Sequence, residues 1–325
     1  MALRSLRFPS ICFLALSLLS VSLLPNGLRA ADAPLVTADE TPVYVAKVNF
    51  DEFRKTNIGK KLMSLVEAMA KEELGGEGDA VQKITEGLGF NPMEELQSVT
   101  VMADSRDLPD ESLKVVVGLG KTTGNLEGLA LTLPGYDSEE IGEHTIHSAD
   151  LDGQPAFATI RESGGNKQVV AAMSRSNLME LLDGKGGKVP ALPNGESTLL
   201  QIHASDLPPQ LKEEFGENQP LNTAIKLISS FMVVVTADDD SFGVTVRLNA
   251  TSEKKADQIK QLAQGARALL SLMEDELKQD KDFMAVKSIL DEVKFGHEGK
   301  TFSASVDVPE QFIMKFLKEE AGLPL

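Results

Sequence analysis

Residues 99–104 read VTVMAD, and residues 233–238 read VVVTAD. The match is ungapped at an offset of 134, and each run leads into a polar loop, SRDLPDES in the first case and the shorter DDS in the second. Past the loops, Leu113, Val115, Val117 and Leu119 alternate with other residues, as do Phe242, Val244, Val246 and Leu248, now at an offset of 129. The difference in loop length accounts for the change of offset. Period-two alternation bounded by turn residues marks a half-buried strand. Each passage therefore predicts a β-hairpin, and their recurrence predicts one plan used twice.

The correspondence extends outward. Upstream, YVAKVNFDEF (44–53) and LLQIHASDLP (199–208) share a pattern, a strand ending in a polar turn, which sets Tyr44 on Leu199. A helix is expected after each. In the first, Ile58, Leu62, Leu65, Val66, Met69 and Leu74 fall largely on one helical face, with Thr56 or Asn57 as the N-cap. In the second, Leu221, Ile225 and Ile228 do the same over a shorter span.

Downstream, Thr251-Ser252 opens a long amphipathic helix whose Ile259, Leu262, Ala263, Ala266, Leu269, Leu270, Met273 and Leu277 make one apolar stripe. A second hairpin follows, EVKFGH and KTFSASV about the turn Glu298-Gly299. Its counterpart is EHTIHSA and PAFATI about Asp152-Gly153, and Asp-Gly between strands is a strong hairpin signal. The first copy adds a strand (168–172) and a helix (174–182). The second ends in a helix from Pro309 that buries Phe312, Ile313, Phe316 and Leu317.

A Gly/Pro-rich joint, GKGGKVPALPNGES (184–197), separates the copies. The expected organisation is a leader at 1–30, a first repeat at 31–186, a linker at 187–197 and a second repeat at 198–325. Helices interspersed with antiparallel hairpins, without regular βαβ alternation, predict an α+β fold. Two tandem strand–helix–hairpin–helix–hairpin units would build mainly antiparallel sheet with helices packed on one face.

The leader has the form of a secretory signal. Arg4 and Arg7 precede an apolar run of fourteen residues, Ile11 to Leu24, and Pro25-Asn26-Gly27 and a small residue, Ala30, close it. A membrane span needs about 20 apolar residues, so no retained anchor is expected. Cys12 is the only cysteine and lies inside the run rather than after it, which argues against lipidation. The 295 residues that remain hold no thiol, so disulfides, thiolate nucleophiles and cysteine-ligated metals are excluded. A core must hold the fold, and a chain of this length buries about 75% of its unfolded surface.

Charge excludes further classes. The chain carries −17, from 32 basic and 49 acidic residues; without the leader, which has three arginines and no acid, it carries −20. Such a balance repels polyanions and anionic membrane surfaces. No basic stripe suited to nucleic acid is present, and with no Trp and two Tyr there is little to stack on bases or sugars.

The chemical motifs dissolve on inspection. Gly120-Lys121-Thr122 after an apolar run resembles a phosphate loop, but G-x-x-x-x-G-K-[ST] needs a glycine where Val115 stands, and a dinucleotide fingerprint needs one at Thr123. Gly118 and Gly120 then read as relaxed strand-end positions, and Thr122 or Thr123 as a helix cap. Asp150-Leu151-Asp152-Gly153 resembles part of a calcium loop, but Thr159 stands where the bidentate Glu belongs. Asp238-Asp239-Asp240 marks a hairpin tip with unspecific carboxylates. His144 and His147 are three apart on a strand and must point to opposite faces. His203 and His297 lie at strand ends and share no ligand spacing. Ser252-Glu253-Lys254-Lys255 fits S-x-x-K at a helix start, where the serine is a cap. Asn249-Ala250-Thr251 is a sequon that also reads as strand end and cap. Met63, Met69, Phe231, Phe312 and Phe316 occupy core-like positions. No catalytic, cofactor or metal residue is nominated, and no cofactor is expected.

The segments TTGNLEGLALTLPGYDSEEIGEHTIHSADLDGQPAFATI and GFNPMEELQSVTV give the chain a pattern-level resemblance to uncharacterised, signal-peptide-bearing exported proteins of planctomycete-type bacteria. That resemblance implies export to the periplasm or cell surface and an α+β fold, and carries no catalytic motif. The expected role is non-enzymatic binding or structure in the cell envelope, with an envelope protein or small apolar ligand as partner. Two alternatives stay open. One is a secreted hydrolase whose site assembles from distant His, Asp and Glu residues, with His203 and His297 converging. The other is a carrier of an apolar ligand held between the repeats.

Overall fold

The computed structural model describes residues 44–61, 63–64, 90–104, 112–120, 126–151, 153–163, 165–184, 198–205, 226–237, 241–272 and 281–314. The leader, the linker at 187–197, most of the helix expected after Ile58, and Leu221, Ile225, Phe316 and Leu317 lie outside the described residues.

Among the described residues, twelve strands form one sheet. They are β1 (Tyr44–Asn49), β2 (Leu96–Ala103), β3 (Leu113–Leu119), β4 (Asp137–Ile141), β5 (His144–Leu151), β6 (Gln154–Ser163), β7 (Asn166–Ala172), β8 (Thr198–Ala204), β9 (Ile228–Ala237), β10 (Ser241–Ala250), β11 (Lys294–Glu298) and β12 (Thr301–Pro309). Their order is β11-β12-β10-β9-β8-β1-β2-β3-β7-β6-β5-β4. Every pairing is antiparallel. The fold is α+β, and the sheet runs unbroken through its centre, where β1 bonds β8. Its two edges are short. β4 carries exposed Asp137, Glu139 and Glu140, and β11 has five residues; charge and brevity keep open edges from pairing with other chains.

Both central hairpins form as the alternation predicts, and in matching register: Val99 pairs Val117 and Val101 pairs Val115, while Val233 pairs Val246 and Val235 pairs Val244. The outer hairpins form too, with Gly153 and Gly299 at φ +86° and +52°, a region that penalises a side chain. Asp150 Oδ1 accepts from Gly153 N at 2.6 Å and closes the first of these turns.

The outward alignment needs one correction. Val48 pairs Val99, and Ile202 pairs Val233. Equivalent register therefore sets Val45, not Tyr44, on Leu199. The β8–β9 register shifts between Thr198 and Leu200, and a bulge of this kind hides a one-residue slip from any alternation pattern.

Among the described residues the helices are α1 (Phe50–Lys55), α2 (Pro92–Glu95), α3 (Leu126–Ala130), α4 (Arg175–Leu182), α5 (Glu253–Leu272) and α6 (Lys281–Glu292), with further helical residues at 57–61 and 310–314. Polar caps start several of them. Asn49 Oδ1 accepts from Glu52 N at 3.2 Å, Thr56 Oγ1 from Gly59 N at 2.9 Å, Ser174 Oγ from Asn177 N at 3.2 Å and Ser252 Oγ from Lys255 N at 3.4 Å. Each satisfies an otherwise orphaned first-turn donor. Thr56, rather than Asn57, is the cap before Ile58. α1 is an extra turn that the periodicity did not predict, and Ile228 belongs to β9 rather than to the helix expected before it.

Helices cover both faces of the sheet, where one was expected. Residues paired directly across an antiparallel ladder point to the same side. Leu178 of α4 packs on Ile146, Val170 and Ala172. Through Val116, Thr100, Lys47, Gln201, Val234 and Thr245, Val170 shares its side with Ser305. Ile259 of α5 and Ile289 of α6 pack on Phe302, Val306 and Val308, which alternate with Ser305 and point the other way. Ile58 joins that second layer, on Leu199, Ala237 and Phe242. It therefore crosses from the first half of the chain onto strands of the second.

The apolar stripe of α5 is also two stripes. Ala256 and Ile259 are buried with Ala263 against them, but Leu262, Leu269 and Leu272 are 39%, 63% and 77% exposed. Leu262 is one residue, about 100° of rotation, away from Ala263, so the sheet reaches one of them and not the other. Gly118, expected at a relaxed strand end, is inside β3 and buried; a Cβ there would meet Ser98 Oγ at 2.8 Å.

Candidate functional site

The two faces of the sheet centre differ in chemistry. On the α5 side, paired residues form two rows. One runs Ala304, Val246, Val233, Ile202, Ala46, Val101, Val115, Ala171, Ala158; the other runs Val306, Val244, Val235, Leu200, Val48, Val99, Val117, Val169, Ile160. No polar residue interrupts either row. From β9 through β7 their members are half-buried, unlike the fully buried Val306 beneath α6. Alternating valines from both hairpins build this floor, because β-branched side chains suit a pleated surface.

The opposite face carries ionisable groups. There the row is Ala172, Lys114, Met102, Val45, His203, Met232, Arg247, and all seven are buried. Lys114 Nζ reaches Asp104 and, at 3.3 Å, Glu180 Oε2 on α4. Both acids keep about half their surface in water, so the lysine is buried while its counter-ions stay hydrated. Sequence reasoning missed this group: Lys114 sits between Leu113 and Val115, where alternation assigns it to solvent. The covering α4, expected at 174–182, was the available signal.

His203 has a pKa lowered from 6.5, because burial penalises the imidazolium. Among the described residues its Nδ1 has no hydrogen-bond partner, and the row places Val45 and Met232 on its two sides. His297 lies on β11, four strands away, and pairs Phe302 on the other face. At roughly 4.8 Å per strand the separation is about 19 Å. The two histidines are not brought together. His144 and His147 point to opposite faces, as their spacing required: one pairs Ile141 and the other Ala158. His147 Nδ1 is 3.0 Å from Tyr136 Oη, with the rings stacked.

Other nominated features resolve locally. Ser252 is a cap, as read. Asn249 is occupied by Ser230 and Thr301. Asp238-Asp239-Asp240 and Lys121 to Asn125 lie outside the described residues, and Val115 is in mid-strand. A shallow, open depression of about 300 Å³ is lined by Arg54, Lys60, Met63, Ser64 and Met93. Arg54 is committed there to the carbonyls of Met93 and Leu96 and to Asp51. Among the described residues no helix is long and apolar enough to cross a membrane.

No known protein family matches the chain, and no curated protein does. Among solved structures it is similar to crystal form III of TP0453, with a TM-score of 0.43 and 10% identity over 86% of this chain and 97% of that one. Crystal form IV of TP0453 gives 0.42 and 9%, over 89% of this chain and 98% of that one.

Proposed function

We propose that the chain is an exported, non-enzymatic binding or structural protein of the bacterial cell envelope, built from two copies of one plan (31–186 and 198–325) joined by a Gly/Pro-rich linker. The duplication is supported by register. The central hairpins pair in the same way, and β1 and β8 meet antiparallel at the middle of one sheet. The binding role rests on one observation, the two uninterrupted apolar rows that cross from β9 through β8 and β1 to β7. Contiguous apolar surface that the fold leaves only half-buried is what supports an interaction site there.

The rows also favour carriage of an apolar ligand as a second reading. Continuous backbone pairing between β1 and β8 leaves no gap between the halves, so such a ligand would lie along the sheet rather than between two bodies. The hydrolase alternative loses the site named for it, since His203 and His297 point to opposite faces about 19 Å apart.

Native mass spectrometry on protein isolated from its own envelope extract tests the binding role, alongside Nile red titration. The expected result is a retained apolar molecule or saturable dye uptake, weakened in a Val48→Thr/Val101→Thr variant that keeps shape and adds hydroxyls. A bare chain that takes up no dye, with no protein partner in an envelope pull-down, would overturn it. Cell fractionation tests export: recovery of the chain in the cytoplasm at full length would remove that part of the proposal.

A further inference from the structure

Helix α5 has a second face against which no core cluster of the described residues packs. Its packed face is Ala256, Ile259, Ala263 and Arg267, the last donating to Val293 O at 2.8 Å and lying over the Phe295 ring at 5.0 Å. On the outer side Leu262, Leu269 and Leu272 are exposed. Gly265 lies between the first two, and a Cβ added there would meet nothing within 4 Å. A glycine inside a helix costs stability relative to alanine, and among the described residues no close contact at that position compensates for it.

The charge of this stretch is equally unusual. From Gln258 to Leu272 there is no carboxylate, in a chain of 49 acidic and 32 basic residues. Its two cations are Lys260 and Arg267, and Arg267 is turned inward. Two copies of so acidic a body repel one another over most of their surface. Along this face they do not.

We propose that α5 is a self-association surface and that its partner is the α5 of a second copy. The pattern is self-complementary. Leu262 and Leu269 are equidistant from the Gly265–Ala266 step, so an antiparallel pair about a two-fold axis through that step lays Leu262 of each copy on Leu269 of the other. Gly265 then faces Ala266, and two small residues at the crossing let the helix axes approach closely. This is an isologous contact, which closes at two and does not propagate. The leucines offer only a few hundred Å², below the standard interface of about 800 Å² per partner, so the dimer is weak and concentration-dependent.

Sedimentation velocity on the purified chain, over a concentration series at low and high salt, tests this. A reversible monomer–dimer equilibrium is expected that tightens with salt, because screening relieves the repulsion between two acidic bodies. Leu269→Glu should weaken association at least tenfold without loss of circular dichroism. Gly265→Gln should abolish it without lowering Tm, since the monomer has open space there. A chain that stays monomeric at every concentration and salt would overturn the proposal, even if it binds vesicles or another protein. So would a dimer that either variant leaves unchanged.

Discussion

Lys47 and Gln201 stand opposite each other across the β1–β8 seam, and under the proposed duplication each is the other's counterpart. Ala46 pairs Ile202 on one side of them, and Val48 pairs Leu200 on the other. Exchanging the halves maps one of these pairs onto the other and leaves Lys47–Gln201 in place. The pair therefore marks the centre of the sheet, with Gln201 fully buried and Lys47 partly so.

That geometry makes the seam sensitive to charge sign. Gln201→Lys would oppose two ammonium groups on directly facing residues, and should lower urea stability by about 2–3 kcal/mol. Gln201→Glu would oppose a carboxylate to Lys47 and should cost clearly less. Urea midpoints for both variants check this, and equal losses would mean that the amines do not interact.

Lys114 should behave as a buried ion whose removal is cheaper than its isolation. Lys114→Met keeps the volume and discards the charge, so its effect should lie within about 1 kcal/mol of zero. Asp104→Asn combined with Glu180→Gln leaves the ammonium buried beneath α4 without a counter-ion, at an expected cost of about 3 kcal/mol. Thermal unfolding of the two proteins, side by side, gives the comparison.

His203 should make the protein acid-sensitive. Its folded pKa lies below the 6.5 of the unfolded chain, so below that pH the unfolded state binds the proton more readily. Its contribution is full above pH 6.5 and is lost as pH falls toward the lowered folded value, with a slope of at most about 1.4 kcal/mol per pH unit. Stability measured from pH 7.5 down to 5 should show this slope in the parent and lose it in His203→Gln.

Two glycines should respond in opposite senses. Gly153→Ala places a side chain at φ +86° and should destabilise by about 1–2 kcal/mol. Gly265→Ala fills open space in a helix and should stabilise by about 0.8–1 kcal/mol. Differential scanning calorimetry on the two single variants settles both signs.

What the sequence disclosed was local. The valines of VTVMAD and VVVTAD located two hairpins and their partners because alternation and turn residues are short-range signals. The parity of His144 and His147 was legible for the same reason. Nothing local could show that Tyr44–Asn49 would lie against Thr198–Ala204, since no turn joins them. The slip at Leu199 was hidden by a bulge, and the burial of Lys114 by α4, whose Glu180 it reaches, is something alternation cannot report. The stripe on α5 read as one face because leucine and alanine were counted alike, whereas the sheet meets the alanine side. The apolar floor was visible only as separate strands; its continuity belongs to the sheet order.

The crossing of β1 to β8 also sets an order of events. As the chain emerges from its N-terminus, β1 can pair with β2 as soon as the first half is complete, but its other side must wait for a strand 154 residues further on. Through that interval a bare backbone edge is open to any stray strand, the situation in which misassembly begins. Lys47 lies at the midpoint of that waiting edge. The residue that later sits at the centre of the finished sheet is, until β8 arrives, a charged guard against the wrong partner.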